Sequence, residues 1–340
     1  MDFQPTADQR ALRTGMRDLL ARRFPREELR ATLERGTLDR ALWRALGDTG
    51  LFALRLPESE GGVGLGLPEA ALLFEEAGRA LLPGPLVDTH LAAGAVKGAA
   101  EGEVIVTAPA GALIAHFADA DVVRGRDRAA LAEVVLPVRS VDPLTPLHRL
   151  PDGLDGLDGP DGLDGPNGLD GPDKPAGRSR RVEPAGDRAP AAHRSPESIL
   201  LTAAEQSGSA ARTVELAVQH ASRRVQFGRP VGAFQAVKHL CAQMLVRSEM
   251  ARTAVYAAAV TAASPDIAAA KLLADEAAER NARDCLQVCG GMGFTWESDV
   301  HLHLKRAWVR AARGPSRAEL EEELARELLM VAVDDPADQV

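Results

Sequence analysis

The stretch Arg223-Arg224-Val225-Gln226-Phe227-Gly228-Arg229-Pro230-Val231-Gly232, with Phe234-Gln235 and Lys238-His239 behind it, separates two long helical patterns and decides the fold. Upstream of it, Ala204, Gly208, Ala211, Val214, Val218, Ala221 and Val225 recur every three or four residues, the spacing of one helix face. Ser195-Pro196 marks the start of that helix, a serine to cap it and a proline at its first position. Downstream, Phe234, Val237, Cys241, Met244, Ser248, Ala251, Val255 and Ala258 keep the same rhythm. Ser264-Pro265 opens a third helix, which runs to Val288 and stops at Gly290-Gly291. A fourth begins near Val300. Consecutive amphipathic helices with short connections predict an antiparallel four-helix bundle over residues 195–335.

The first hundred residues also read as helical. Asp8 to Arg22 carries Leu12, Met16, Leu19 and Leu20 at helix period, and Leu38 to Thr49 carries Leu42, Trp43 and Leu46 on its apolar side. Gly61-Gly62-Val63-Gly64-Leu65-Gly66 breaks the pattern, and Pro68 restarts it for a helix through Gly78. That glycine run follows no clear strand of a βαβ unit, so it does not read as a phosphate-binding loop. From Glu103 the runs shorten to Val104-Ile105-Val106, Leu113-Ile114-Ala115, Val122-Val123 and Val134-Val135-Leu136, the pattern of strands in a small β domain. Residues 151–179 repeat Asp-Gly-Leu and Asp-Gly-Pro units; they hold too little apolar surface to fold and are expected to form a disordered insertion. The expected fold class is α+β, mostly α. A helical N-terminal domain spans 1–102, a reduced β domain with the insertion spans 103–194, and the helical bundle domain spans 195–335.

The bulk properties narrow the function. A chain of 340 residues with 45% hydrophobic and 26% charged residues reads as globular. A net charge of -9 argues against nucleic acid as a partner. No apolar run is long enough for a bilayer and Met1-Asp2-Phe3-Gln4-Pro5 has no signal pattern, so no membrane is expected and a cytoplasmic location is. Cys241, Cys285 and Cys289 are too few and unevenly paired for a disulfide framework and read as small buried hydrophobes. His301 and His303 point to different helix faces, and no metal site is expected.

The stretch Arg223 to Gly232, together with Leu286-Gln287-Val288-Cys289-Gly290-Gly291-Met292-Gly293-Phe294, resembles the acyl-CoA dehydrogenase family, specifically its reduced bacterial type. Leu42-Trp43, Leu51-Phe52, Leu56-Pro57-Glu58 and Glu75-Glu76-Ala77-Gly78-Arg79 resemble that family's helical N-domain. The resemblance implies an FAD-dependent oxidation of the Cα–Cβ bond of an acyl-CoA thioester, as in fatty acid or steroid side-chain degradation. There a carboxylate removes the α-proton while a hydride leaves Cβ for the flavin. It also implies an oligomer in which one subunit's β domain holds the flavin ring while the neighbour's helices grip the pyrophosphate and adenine end. By resemblance that grip falls on Arg224, Gln226, Phe227, Gln235, Gln287 and Gly291, with Gly290 and Gly291 letting backbone amides approach the cofactor. Each of these residues also has a plain reading, as surface arginine, core phenylalanine or helix stop. An electron-transfer flavoprotein is the implied acceptor.

The sequence departs from the family in three places. Where the family's β domain carries Thr-Glu-Pro and Ala-Gly-Ser-Asp, this chain has Thr107-Ala108-Pro109-Ala110-Gly111. The family's usual base position falls on Gly314, after Arg313, and the alternative position on the helix before the first motif falls near Ser198. Glu205, two turns beyond Ser198, is the candidate catalytic base; its plain reading is a structural carboxylate paired with an arginine. Residues that reach a neighbour's flavin are kept, while the chain's own ring loop and base are altered. The reading that follows is the smaller subunit of a mixed acyl-CoA dehydrogenase whose full-length partner supplies the base. The alternatives are a self-sufficient homo-oligomer using Glu205 and a flavin-free structural subunit.

Overall fold

The computed structural model describes residues 5–151 and 194–334; the Asp-Gly-rich insertion, from residue 152 onward, lies outside them. Thr6 and Gln9 form a reciprocal capping box that starts α1 (Ala7–Arg23), and Asp39 caps α3 (Arg40–Asp48) by accepting from the Ala41 N–H at 2.8 Å. Between them lies α2 (Arg26–Arg35), which the apolar periodicity did not reveal because it buries only Leu29 and Thr32. It ends at Gly36, whose φ of 68° is the left-handed conformation that closes many helices. α4 (Leu67–Arg79) is buried almost all round, and α5 (Leu86–Ala92) follows after Pro85.

The middle of the chain is a small β region. β1 (Val106–Thr107) pairs in parallel with β4 (Val122–Val123). β2 (Pro109–Ala110), β3 (Leu113–Ala115), β5 (Leu136–Val138) and β6 (Leu147–Arg149) form an antiparallel sheet in the order β2-β3-β6-β5. Three of the expected apolar runs fall on strands. The fourth begins two residues too early: Val134 and Val135 close the turn after α6 (Arg128–Ala132), where their N–H groups donate to the Leu131 carbonyl, and pairing starts at Leu136. β6 carries no such apolar run and was not expected.

Ser195 caps α7 (Pro196–Arg223), its hydroxyl accepting from the Ser198 N–H. β7 (Val225–Gln226) and β8 (Arg229–Pro230) form a hairpin, followed by α8 (Gln235–Thr261), α9 (Ser264–Cys289), α10 (Val300–Ala312) and α11 (Arg317–Asp334). Val225 therefore lies in the hairpin rather than on α7, and Phe234 caps α8 rather than belonging to it. α7 and α9 run side by side, with α8 and α10 packed on them, so the expected four-helix bundle is present and α11 lies against α9. The bundle and the N-terminal helices share one core. α4 crosses α7 at Gly78 and Gly208, where an added Cβ would stand 1.9 Å from the Glu205 carbonyl oxygen and 1.8 Å from the Glu75 carbonyl oxygen respectively. Only hydrogen fits there, and that close approach seats the Glu205 backbone against Gly78 at the crossing. No helix among the described residues is long and apolar enough to cross a membrane.

Candidate functional site

The hairpin between α7 and α8 pairs Gln226 with Arg229, which leaves Phe227 and Gly228 as a two-residue turn. Both have positive φ, 52° and 76°, the conformation of the primed turn that suits hairpin twist. Glycine adopts it freely; a bulky phenylalanine does not, and residues held this way cluster at functional sites. Phe227 is also 89% exposed, its ring touching only the edge of Phe234 at 6.0 Å between centroids. The Arg229 guanidinium lies over the Phe234 ring at 4.2 Å and so steadies the hairpin base.

Around this turn the expected cofactor residues stand on the surface. Arg224 ends α7, exposed, its backbone held by bonds to His220 and Val231. With Arg223, His220, Cys289 and Ser298 it borders an open cleft of about 430 Å³. Gln235 is the first residue of α8 and exposed, 3.3 Å from the His239 ring; the exposed Gln226 amide donates to the Val225 carbonyl at 2.9 Å. Gln287 is exposed in the last turn of α9, beside the Cys289 edge of the cleft. Gly290 follows with a φ of 60°, and no atom lies within 4 Å of where a Cβ on Gly290 or Gly291 would sit. The structure thus borders one cleft with Arg224 and the end of α9, while Gln226, Phe227 and Gln235 lie on the adjoining hairpin and the start of α8.

A second, narrower site lies at the other end of α7. Glu205, Ile199 and Thr202 of α7, Lys271 of α9, Arg306 and Arg310 of α10, and Gly314 beyond it line a cavity of about 50 Å³. Of the two family base positions Gly314 lines this cavity, while Ser198 does not, though Ile199 and Thr202 beside it do. Glu205 is 6% exposed and its Oε1 accepts from Arg310 Nη2 at 2.7 Å. Burial pushes the Glu205 carboxyl above the usual range, opposed by the charges of Arg310, Arg306 and Arg313. The same burial pushes Arg310 down to about 10. Arg306 bonds Asp142 through Nε and the Leu82 carbonyl through Nη1, and Lys271 bonds Asp275. Arg313 stands 3.8 Å from Asp88, which also accepts from the Ala108 N–H at 3.2 Å. Arg306, Arg310 and Arg313 recur four and three residues apart, one face of α10, and each meets an acid from a different part of the chain. That spacing is visible in the sequence; the acids that the arginines meet are not.

These geometries test whether FAD suits this chain. The outer residues fit one half of it: an unburied arginine matches a pyrophosphate, exposed glutamine amides match polar ring and ribose groups, and two open glycines admit a close backbone approach. The β region does not fit the other half. Thr107 and Ala108, where the family's ring loop would lie, are fully buried, and the Thr107 hydroxyl donates inward to the Ala115 carbonyl at 2.7 Å. His303 is buried against the Ser209 hydroxyl at 2.8 Å and held down to about 3 by burial, while His301 meets the edge of Trp296. Among the described residues no cluster of three or more metal-ligating side chains forms.

Comparison with known proteins gives the following. The family description "Acyl-CoA dehydrogenase, N-terminal domain" matches residues 6–101, and "Acyl-CoA dehydrogenase, C-terminal domain" matches residues 198–327. The chain is 33% identical over 325 residues to acyl-CoA dehydrogenase IpdE2 of Mycobacterium tuberculosis, covering 89% of this chain and 92% of that one. It is 32% identical to acyl-CoA dehydrogenase FadE34 of the same organism, covering 88% of this chain and 45% of FadE34. Among solved structures, the ChsE4-ChsE5 complex from Mycobacterium tuberculosis superposes with a TM-score of 0.73 at 21% identity, covering 99% of this chain and 100% of the other. A glutaryl-coenzyme A dehydrogenase in complex with glutaryl-CoA superposes with a TM-score of 0.75 at 19% identity, covering 97% of each. At those identities the structural matches speak for the fold alone.

Proposed function

The chain belongs to the acyl-CoA dehydrogenase family, oxidoreductases acting on CH–CH groups, and we propose that it is the FAD-completing subunit of a mixed acyl-CoA dehydrogenase. In this reading two copies of a full-length partner carry the flavin ring, the catalytic base and the main acyl-CoA pocket. Two copies of this chain lend Arg224, Gln226, Phe227, Gln235, Gln287, Gly290 and Gly291 to the dinucleotide end of the partner's cofactor. FAD, when bound, supplies the acceptor for the hydride that leaves the acyl Cβ; this chain's residues bind and orient its anionic tail. Arg224 neutralises pyrophosphate charge with a planar two-point fork, and Phe227 offers an exposed aromatic face to a planar ring. Electrons would pass on to an electron-transfer flavoprotein.

The observation that carries this reading is the contrast between an open outer shelf and a closed inner site. The cavity of about 50 Å³ falls well under the ~300 Å³ at which small-molecule sites begin, so an acyl chain and a flavin ring have no room in it as it stands. Its carboxylate is engaged by Arg310. ChsE4-ChsE5, a solved structure of the same fold, is a complex of two named chains, and this reading gives the present chain an assembly of that kind. Co-expression with candidate full-length dehydrogenases tests the proposal. The expected result is a mixed oligomer in which both chains are needed for bound flavin and turnover. One flavin per subunit with turnover in the isolated chain would overturn it.

A self-sufficient homo-oligomer with Glu205 as base has one observation in its favour: burial raises that carboxyl's proton affinity, as general bases require. Glu205→Gln decides between the two. Lost turnover with flavin retained favours the homo-oligomer, and unchanged turnover favours the mixed assembly.

A further inference from the structure

The inner cavity contains two charged donors that its own residues leave unused. Arg306 and Arg310 are 3% and 7% exposed, and each spends one part of its guanidinium on an acid, Asp142 and Glu205 respectively. Arg306 Nη2 and Arg310 Nη1 are buried and meet no acceptor. Both residues line the cavity, one helical turn apart on the same face of α10. A buried guanidinium N–H without an acceptor is unfavourable, and native structures rarely leave one so. Two of them, on residues that line one small space, leave room for a shared acceptor.

We propose that this cavity is a binding site for a small monovalent anion of carboxylate size, held between Arg306 and Arg310. Its size sets the class of ligand. About 50 Å³ has room for roughly three water-sized groups, which accommodates formate, acetate or a halide and excludes an acyl chain. The acids around it do not repel such a ligand outright. Asp142 and Asp275 are bound to Arg306 and Lys271, Asp88 stands beside Arg313, and Glu205 is engaged by Arg310. Each lining cation is matched by an acid, so the anion is drawn by the two unused donors rather than by excess charge.

The position gives the anion a structural consequence. The cavity is walled by Pro85 and Leu86 of the N-terminal part, Thr145 of the β region and the bundle helices. An anion between Arg306 and Arg310 would sit where these parts meet, and a ligand that binds only the folded chain stabilises it in proportion to its saturation. This site is independent of the mixed assembly, because binding is read on the full chain without flavin or partner.

Calorimetric titration of the purified full chain with sodium formate, in chloride-free buffer with sulfate holding ionic strength, is the test. One saturable site per chain is expected, with an unfolding temperature that rises along the same saturation curve. Arg310→Lys keeps the positive charge but removes the fork, and is expected to weaken formate at least tenfold. If that variant does not fold, bromide-soaked crystals of the unaltered protein decide: anomalous density between Arg306 and Arg310 supports the site. Formate binding that Arg310→Lys leaves unchanged places the anion elsewhere and overturns the proposal. So does the absence of both saturable binding and bromide in the cavity, which assigns the space to water alone.

Discussion

At the hairpin end of α7, Arg223, Arg224, Gln226, Phe227 and Gln235 stand in the open, and Phe227 is held in a backbone conformation that phenylalanine disfavours. At the other end of the same helix, Glu205 is sealed among Lys271, Arg306, Arg310 and Arg313, and every one of those charges has an opposite beside it. One region leaves polar groups and an aromatic ring unspent, while the other spends nearly all it has on itself. An enzyme's site usually keeps a poised group near its substrate; a structural junction pairs its charges. Under the proposed function this chain's outward chemistry lies at the hairpin, and its inner site acts as a joint between the N-terminal helices, β region and bundle.

The contrast breaks most readily at the joint. Arg306→Ala leaves Asp142 buried without its cation, and is expected to cost about 3–5 kcal/mol in urea unfolding, the usual penalty for breaking a buried pair. A cost within experimental error would mean that the junction is not structural. Gly208→Ala, at the helix crossing that seats Glu205, is expected to cost ~1–3 kcal/mol through overpacking against the Glu75 backbone. Circular dichroism melts read that loss, and an unchanged melting temperature would show that α4 and α7 slide apart freely.

Acid sharpens the same comparison. His303 is held down to about 3 when folded, against an ordinary value near 6.5. As pH falls below 6.5 the unfolded chain takes up a proton that the folded chain refuses, so stability is lost on acidification until pH approaches 3. From pH 6.5 to 5.5 that loss is about 1 kcal/mol. His303→Asn is expected to remove that share of the slope while His90 and His301, each held down to about 4, keep theirs; an identical slope would place the acid sensitivity elsewhere. The outer shelf responds least in stability. Arg224→Gln and Phe227→Gly are expected to shift unfolding by no more than about 0.5 kcal/mol, as exposed substitutions do. Their effect is expected instead in the flavin content of the mixed complex, measured by its visible absorbance, with affinity weakened at least tenfold. Full flavin retention in both variants would remove the shelf from the cofactor site.

Much of this architecture was legible in residue order because helices announce themselves locally. Ser195-Pro196 caps α7 and Gly290-Gly291 stops α9 in the structure as the sequence reading expected, since caps and stops depend on a few adjacent residues. The motifs around Arg224 and Gln287 were legible for the same reason. α2 escaped because it buries too little to show periodicity, and β6 because Leu147-His148-Arg149 pairs through its backbone rather than through an apolar run. Glu205 was singled out from its apolar neighbours, with an arginine partner as its plain reading, but the identity of that arginine lay 105 residues away.

The sequence alone determined the longer amphipathic helices and the bundle, because periodicity and capping are properties of neighbours along the chain, and its motifs carried the resemblance to the family. Tertiary structure decided which charges meet. Arg306, Arg310 and Arg313 find Asp142, Glu205 and Asp88 only when three separate segments converge on the end of α10, and only that convergence buries the donors left over on Arg306 and Arg310. Electrostatic pairing acts through space, and the chain order carries no record of the distances that folding creates.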